Sequence, residues 1–172
     1  MKKNIALLVG GISEEREISL KTGEQIKENL DINKYNVSVY DTKNDLSILV
    51  FDILEKKIDK VLPALHGAYG EDGKIQGFLD TLNMPYVFSG CFSSALAMNK
   101  FASKIMAESL GILTPKGCLV RDFDTDISDL QYPIVVKPVG AGSSVHVYKV
   151  ENKDDYKDAL EKIFVDYSEC LV

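Results

Sequence analysis

Ile5-Ala-Leu-Leu-Val9, closed by Gly10-Gly11 and followed by Ile12-Ser-Glu-Glu-Arg16, is the stretch on which the fold turns. The apolar run does not alternate with polar residues, so it reads as a strand buried on both faces, the habit of parallel sheets. The two glycines end it in a tight turn. The acids Glu14, Glu15 and Glu17 then suit a helix N-terminus. Ile18, Leu20, Ile26 and Leu30 supply an approximate apolar face for a helix from about Arg16 to Leu30. A strand that hands over to a helix in this way predicts right-handed crossovers, with ligands at the carboxyl ends of the strands.

Working outward, the pattern repeats. Val37 and Val39 alternate with Ser38 and Tyr40 as a second strand, Leu46 to Lys57 returns as a helix, and Lys60 to Leu65 is a third strand. The loop His66 to Gly73 leads to a helix from about Lys74 to Leu82, a short strand at Tyr86 to Phe88, and one helix from about Ser93 to Leu110. After the stop at Leu110-Gly-Ile-Leu-Thr-Pro, Ile134 to Lys137 and Val145 to Val150 read as strands flanking the loop Pro138 to Ser144. Tyr156 to Phe164 reads as a helix and Glu169 to Val172 as a strand. There is no internal repeat and no low-complexity segment.

With 172 residues, 45% of them hydrophobic, the chain can bury one sizeable core or two small ones. The formal charge of -6 argues against a general binder of nucleic acid or anionic membrane, which needs a basic face. Residues 1–96 carry 11 basic and 14 acidic side chains and the rest 9 and 12, so each part holds -3 and neither is a charged tail. Cys91, Cys118 and Cys170 are odd in number and widely spaced, which fits a reduced, cytoplasmic setting. The apolar run after Lys2-Lys3 is too short for a secretory signal. The stretch Leu46 to Leu54 is broken by Asp52, so no membrane span is expected.

Three strand-end loops hold the chemistry-bearing residues. The first, Gly10 to Ser19, lacks both G-x-G-x-x-G and a Walker lysine, so it is neither a dinucleotide nor a P-loop signature. Its acids suit a cationic group such as a substrate ammonium, or are simply solvated helix-start residues. The second, His66-Gly-Ala-Tyr-Gly-Glu-Asp-Gly73, packs three glycines around one of only two histidines. His66 is either a donor to a carboxylate or phosphate oxygen or a turn histidine bonded to backbone. In the third, Ile134-Val-Val-Lys137-Pro-Val-Gly140-Ala-Gly142-Ser143-Ser144, a lysine near a strand end is followed by small residues that can fold over phosphate. The alternative is that Lys137 merely snorkels out at a sheet edge.

These loops in this order, with Ser89-Gly90 and Met98-Asn-Lys100 between the second and third, resemble the D-alanyl-D-alanine ligase family of the ATP-grasp superfamily. The resemblance covers the whole chain. It implies an α/β fold in which a parallel-sheet, Rossmann-like pre-ATP-grasp domain (1–96) binds D-alanine. A partial central α+β subdomain of the ATP-grasp fold (97–172) follows, truncated before a C-terminal ATP-grasp domain. The implied reaction joins two D-alanines for peptidoglycan synthesis. ATP phosphorylates the carboxylate of the first, and the amine of the second attacks the acyl phosphate.

Carried over by motif, Glu15 matches the acid holding the ammonium of the first D-alanine and His66 the histidine near its carboxylate. Ser143 matches the hydroxyl linked to that acid, so that Glu15 and Ser143 are the implied catalytic pair. Lys100 and Lys137 resemble the lysines gripping ATP phosphates, and Gly142, Ser143, Ser144 and Val145 resemble the flap that closes over them. Fixed cations and a closing loop stabilise a transferring phosphoryl group by position and charge. Mg²⁺ is implied too, with its ligands expected outside these residues, so that the 172-residue chain alone is expected to show no ligase turnover. Family members are commonly homodimers through the N-terminal domain.

Two positions depart from the family pattern. Asn99 stands where aspartate usually precedes the lysine, and His146 stands where glycine usually follows Gly-Ser-Ser-Val. Two other readings are a non-catalytic module that binds D-alanine or another chain, and a related ligase such as one making D-alanyl-D-lactate.

Overall fold

The run that opens the sequence becomes the middle strand of a parallel sheet in a computed structural model that describes residues 2–142 and 146–172. Strand β1 (Lys3–Val9) lies between β2 (Tyr35–Asp41) and β3 (Lys60–Pro63), in the order β2-β1-β3. Ile5 sits opposite Val37 on one side and Lys60 on the other. The side chains of β1 alternate between two layers. Leu7 and Val9 pack with Ala64, Leu20 and Ile26 beneath helix α1 (Arg16–Asn29). Ala6 and Leu8 pack with Leu49, Ile53, Ile75 and Leu79 from α2 (Leu46–Leu54) and α3 (Lys74–Thr81) on the other face. Helices on both faces leave β1 no exposed side, which is why its sequence is apolar without a break.

The face that α1 buries differs from the expected one. Ile18 is half exposed, whereas Ser19 and Gly23 are buried. The cause is a close approach of helix to sheet: a Cβ on Gly23 would lie 2.2 Å from Val9 Cγ1. The Ser19 hydroxyl donates to the Ala64 carbonyl (2.6 Å) and accepts from the Gly10 amide (2.9 Å). One small polar side chain thereby ties α1 to the ends of β1 and β3 and satisfies two backbone groups that the sheet leaves over.

Asp52, which interrupts the apolar run of α2, accepts from the Tyr40 hydroxyl at 2.8 Å and pairs with Lys57 at 2.9 Å. Burial, together with this carboxylate, pushes the Tyr40 phenol up to about 12. The segment expected as a strand at Tyr86 to Phe88 makes only a single parallel bridge, Tyr86 to Val61. No helix among the described residues is long and apolar enough to cross a membrane.

The chain divides into two units, Met1–Ala95 and Leu96–Val172. The single helix expected from Ser93 to Leu110 is in fact two, α4 (Cys91–Met98) and α5 (Lys100–Ser109), parted at Asn99. Asn99 is extended, and its side-chain oxygen accepts the Ala102 amide at 2.8 Å as an N-cap. A cap of this kind stabilises a helix start by about 1 kcal/mol, and aspartate caps equally well.

The second unit carries an antiparallel sheet in the order β4-β7-β5-β6, built from β4 (Leu119–Val120), β5 (Ile134–Pro138), β6 (Tyr148–Val150) and β7 (Cys170–Leu171). Helix α6 (Lys153–Ile163) covers one face, placing Tyr156, Leu160 and Ile163 against Ile134, Val136 and Val150. β4 is a strand the sequence reading did not foresee, and β6 begins at Tyr148 rather than Val145. All three cysteines are free thiols. Burial pushes the Cys170 thiol up to about 12, which keeps it protonated and unreactive.

Candidate active site

Of the three acids at the start of α1, only Glu15 is partly buried; Glu14 and Glu17 are exposed. Glu15 sits one residue before the helix, and its carboxylate lies against Gly67. A Cβ built on Gly67 would come 2.6 Å from Glu15 Oε2, and the backbone there has φ of +68°. The left-handed backbone favours glycine, and a side chain here would have to push the Glu15 carboxylate aside. The two loops that carry Glu15 and His66 therefore meet at one point, just beyond the carboxyl ends of β1 and β3.

The His66 loop is held by bonds that the motif alone does not disclose. The Ser13 hydroxyl donates to the His66 carbonyl at 2.7 Å. The Gly67 amide donates to the Glu71 carboxylate at 2.7 Å, and the Glu71 amide returns to the Gly67 carbonyl at 2.9 Å. The Gln76 side chain, fully buried on α3, donates to the Gly70 carbonyl at 2.8 Å. The ring itself is met by Thr22 of α1, whose Oγ1 lies 3.1 Å from His66 Nε2. Beside the ring opens a cavity of about 390 Å³, lined chiefly by apolar side chains such as Ile12, Leu46, Leu65, Ile75 and Phe78.

The turn after β1 is clamped from the side. Arg16 forms a two-pronged pair with Asp41 at the end of β2, at 2.8 and 2.5 Å, and also donates to the Gly11 carbonyl at 2.9 Å. Asp41 accepts the Gly11 amide at 3.2 Å in return. The guanidinium, bonded to its oxygens, holds the Asp41 carboxyl well below the usual carboxylate range.

In the second unit, Lys137 occupies β5 opposite Leu171, and Lys100 opens α5. The Lys100 amide donates to the Val139 carbonyl at 3.1 Å. Its ammonium donates to the same carbonyl at 3.3 Å and also to the Ala141 carbonyl. Burial and then the nearby charge of Lys137 hold Lys100 below the ordinary lysine range. Neither lysine ends on a carboxylate among the described residues. Two partly buried cations that repel one another form a site whose charge is completed by an anion. Gly142 is described and half-buried; Ser143, Ser144 and Val145 lie outside the described residues. His146, just beyond them, takes φ of +54°. Its Nδ1 lies 3.1 Å from the Tyr148 hydroxyl and its ring meets Tyr167 edge-on at 5.8 Å.

Ser13, Thr22 and the Arg16–Asp41 clamp escaped sequence reasoning. Ser13, Thr22 and Arg16 act across a strand–helix crossing, which no spacing in the chain encodes. The available hint was Ser19 and Gly23, small residues four apart among the few apolar positions of the helix, Ile18, Leu20 and Ile26.

The match to known proteins falls in both units. The model for the D-ala D-ala ligase N-terminus matches residues 42–91, and the model for the D-ala D-ala ligase C-terminus matches residues 117–172. A D-alanine–D-alanine ligase of Syntrophobacter fumaroxidans is 43% identical over 176 residues, covering 99% of this chain and 56% of the relative. The crystal structure of D-alanine–D-alanine ligase from Bacillus anthracis superposes with a TM-score of 0.88 at 38% identity, covering 98% of this chain and 56% of that one. The same organism's ligase complexed with ATP gives 0.84 at 36% identity, over 98% of this chain and 57% of that one. The chain thus spans about half the length of the relatives it matches. With both halves of the chain matching one kind of protein, it belongs to the D-alanine–D-alanine ligase family.

Proposed function

We propose that the protein serves the ATP-dependent joining of two D-alanines through an acyl phosphate, the dipeptide being destined for peptidoglycan, in the cytoplasm. The observation that carries this reading is the meeting of Glu15 and the His66 loop at Gly67. A zwitterionic amino acid needs an anion for its ammonium and a donor for its carboxylate, and Glu15 and the His66 imidazole are of those two kinds. In this reading the residues 1–96 form the D-alanine domain. Residues 97–172 belong to the nucleotide-binding part, where Lys100 and Lys137 hold phosphate oxygens. Gly142, Ser143, Ser144 and Val145 are proposed to cover those oxygens.

Mg²⁺ would neutralise the charge developing on the transferring phosphoryl group. Among the described residues no group of three or more His, Cys, Asp or Glu side chains is arranged to hold a metal ion. A homodimer through the first unit is proposed as well, supported by the exposed apolar side chains Ile48, Phe51 and Leu54 on α2.

Calorimetric titration tests the reading. D-alanine is expected to bind in preference to L-alanine, and E15Q to weaken it by about tenfold or more through loss of a charged contact. ATP is expected to bind with a dependence on Lys100 and Lys137. Indifference to D-alanine at millimolar concentration would overturn the reading. Binding of D-alanine with no binding of ATP would leave a D-alanine-binding module.

A further inference from the structure

The His66 ring is gripped from one side only, and the grip has a direction. Thr22 Oγ1 stands 3.1 Å from Nε2, while Nδ1 has no hydrogen-bond partner among the described residues. Either the hydroxyl donates to an unprotonated Nε2, or a protonated Nε2 donates to the hydroxyl oxygen. The two arrangements put the ring proton on opposite nitrogens.

The surroundings of Thr22 decide between them. A threonine within a helix commonly donates its proton to the carbonyl one turn back, and Thr81 in α3 does so, reaching the Gly77 carbonyl at 2.8 Å. The Thr22 hydroxyl makes no such bond, and its only hydrogen-bond partner among the described residues is the histidine ring. If Nε2–H were the donor, the Thr22 hydroxyl hydrogen would be left without an acceptor in a partly buried position, which is costly. If the hydroxyl donates, both its hydrogen and Nε2 are paired, and the ring N–H resides on Nδ1, where it is left for a ligand to meet. The Ser13 bond to the His66 carbonyl fixes the backbone from which the ring projects, so the orientation is set at both ends.

We propose that Thr22 is a positioning residue: its hydroxyl donates to Nε2 and holds His66 as the Nδ1–H tautomer, so that the free N–H is presented to the carboxylate of the amino-acid substrate. The substrate part rests on the function proposed above; the tautomer part does not. Thr22 touches no reacting atom. Its contribution is to remove the alternative in which the nitrogen facing the ligand is an acceptor, which would repel a carboxylate.

The test is nitrogen NMR of the imidazole in the ¹⁵N-labelled chain. With only two histidines, H66Q assigns the spectrum and the His146 ring serves as internal reference. The expected result is a protonated Nδ1 and an unprotonated Nε2 on His66. Thr22→Ser keeps that pattern, whereas Thr22→Val mixes the two tautomers while the His146 signals and the far-ultraviolet circular dichroism stay put. D-alanine affinity is expected to fall about tenfold in T22V and to stay within about twofold in T22S. A protonated Nε2 in the parent chain overturns the proposal, even if T22V were not to fold. An unchanged ring spectrum in folded T22V overturns it as well. A held Nδ1–H tautomer in a parent chain that ignores D-alanine supports the role of Thr22 and sinks the substrate assignment, so the two failures are distinct.

Discussion

The loop around His66 and the lysine pair at Lys100 and Lys137 are both proposed to bind ligands, yet they are built on opposite terms. In the first, the Ser13, Thr22, Glu71 and Gln76 side chains bond to His66, Gly67 and Gly70, and a side chain at Gly67 would displace the Glu15 carboxylate. In the second, two cations repel one another with no carboxylate paired to either among the described residues, where the Lys100 ammonium meets only carbonyls. A zwitterion is recognised by geometry, so its site is over-determined before the ligand arrives. A polyanion is recognised by charge, so its site is left electrically incomplete.

This contrast breaks first at Lys100. Lys100→Met should lower ATP affinity by roughly 10- to 150-fold, the range for a charge-assisted contact of about 1.5–3 kcal/mol. It should do so without lowering the melting temperature. The folded chain holds this ammonium below its ordinary value, so its charged form is disfavoured there, which offsets the loss of its bonds to the Val139 and Ala141 carbonyls. A clear drop in melting temperature would show that the lysine is structural.

The first unit should respond in the other way. Gly67→Ala places a side chain at a left-handed backbone position, costing about 1 kcal/mol, and displaces the Glu15 carboxylate. D-alanine binding and stability should therefore fall together, the former by tenfold or more, as read by calorimetry and urea unfolding. Loss of neither would mean that the two loops do not depend on their meeting point.

A pH experiment sharpens the same point at the Arg16–Asp41 clamp. Asp41 titrates below its ordinary value of 3.8 in the folded chain. Its contribution to stability is therefore fully present above that value and is lost as pH falls toward the folded value. Asp41→Asn should flatten this part of the acid limb of the stability curve and leave the neutral region merely lower. An acid limb of unchanged slope would assign it to other carboxylates. The smallest effect is expected at His146, whose φ of +54° suits glycine. His146→Gly should be more stable than His146→Ala by about 1 kcal/mol, because both lose the ring contacts and only the alanine keeps the strain.

How far the sequence could be read follows the same division. The uninterrupted run Ile5–Val9 announces a strand covered on both faces, and Leu7 and Leu8 do point to opposite helical layers. Where burial came from close backbone approach instead of apolar side chains, the reading failed. Ile18, which reads as part of the apolar face of α1, is half exposed, and Ser19 and Gly23 are buried in its stead. The break at Asn99 was hidden because a cap looks like any polar residue until its side chain turns back to Ala102. β4 has only two residues and pairs with a strand some 50 positions away, so no local pattern marks it. At the site, Gly67 was legible as a loop glycine, but nothing in the chain order said which of three glutamates it would face.

The central place of β1 has a consequence for the order in which the chain can assemble. Its partners come late: Ile5 waits for Val37 and then for Lys60. At a synthesis rate of about 5–20 residues per second, the 55 positions from Ile5 to Lys60 take roughly 3 to 11 seconds to appear. Throughout that interval the apolar run Ile5–Val9 has at most one neighbour, leaving an unpaired edge in a nascent chain. The strand that organises the finished sheet is thus the one most in need of protection by chaperones while the ribosome is still at work.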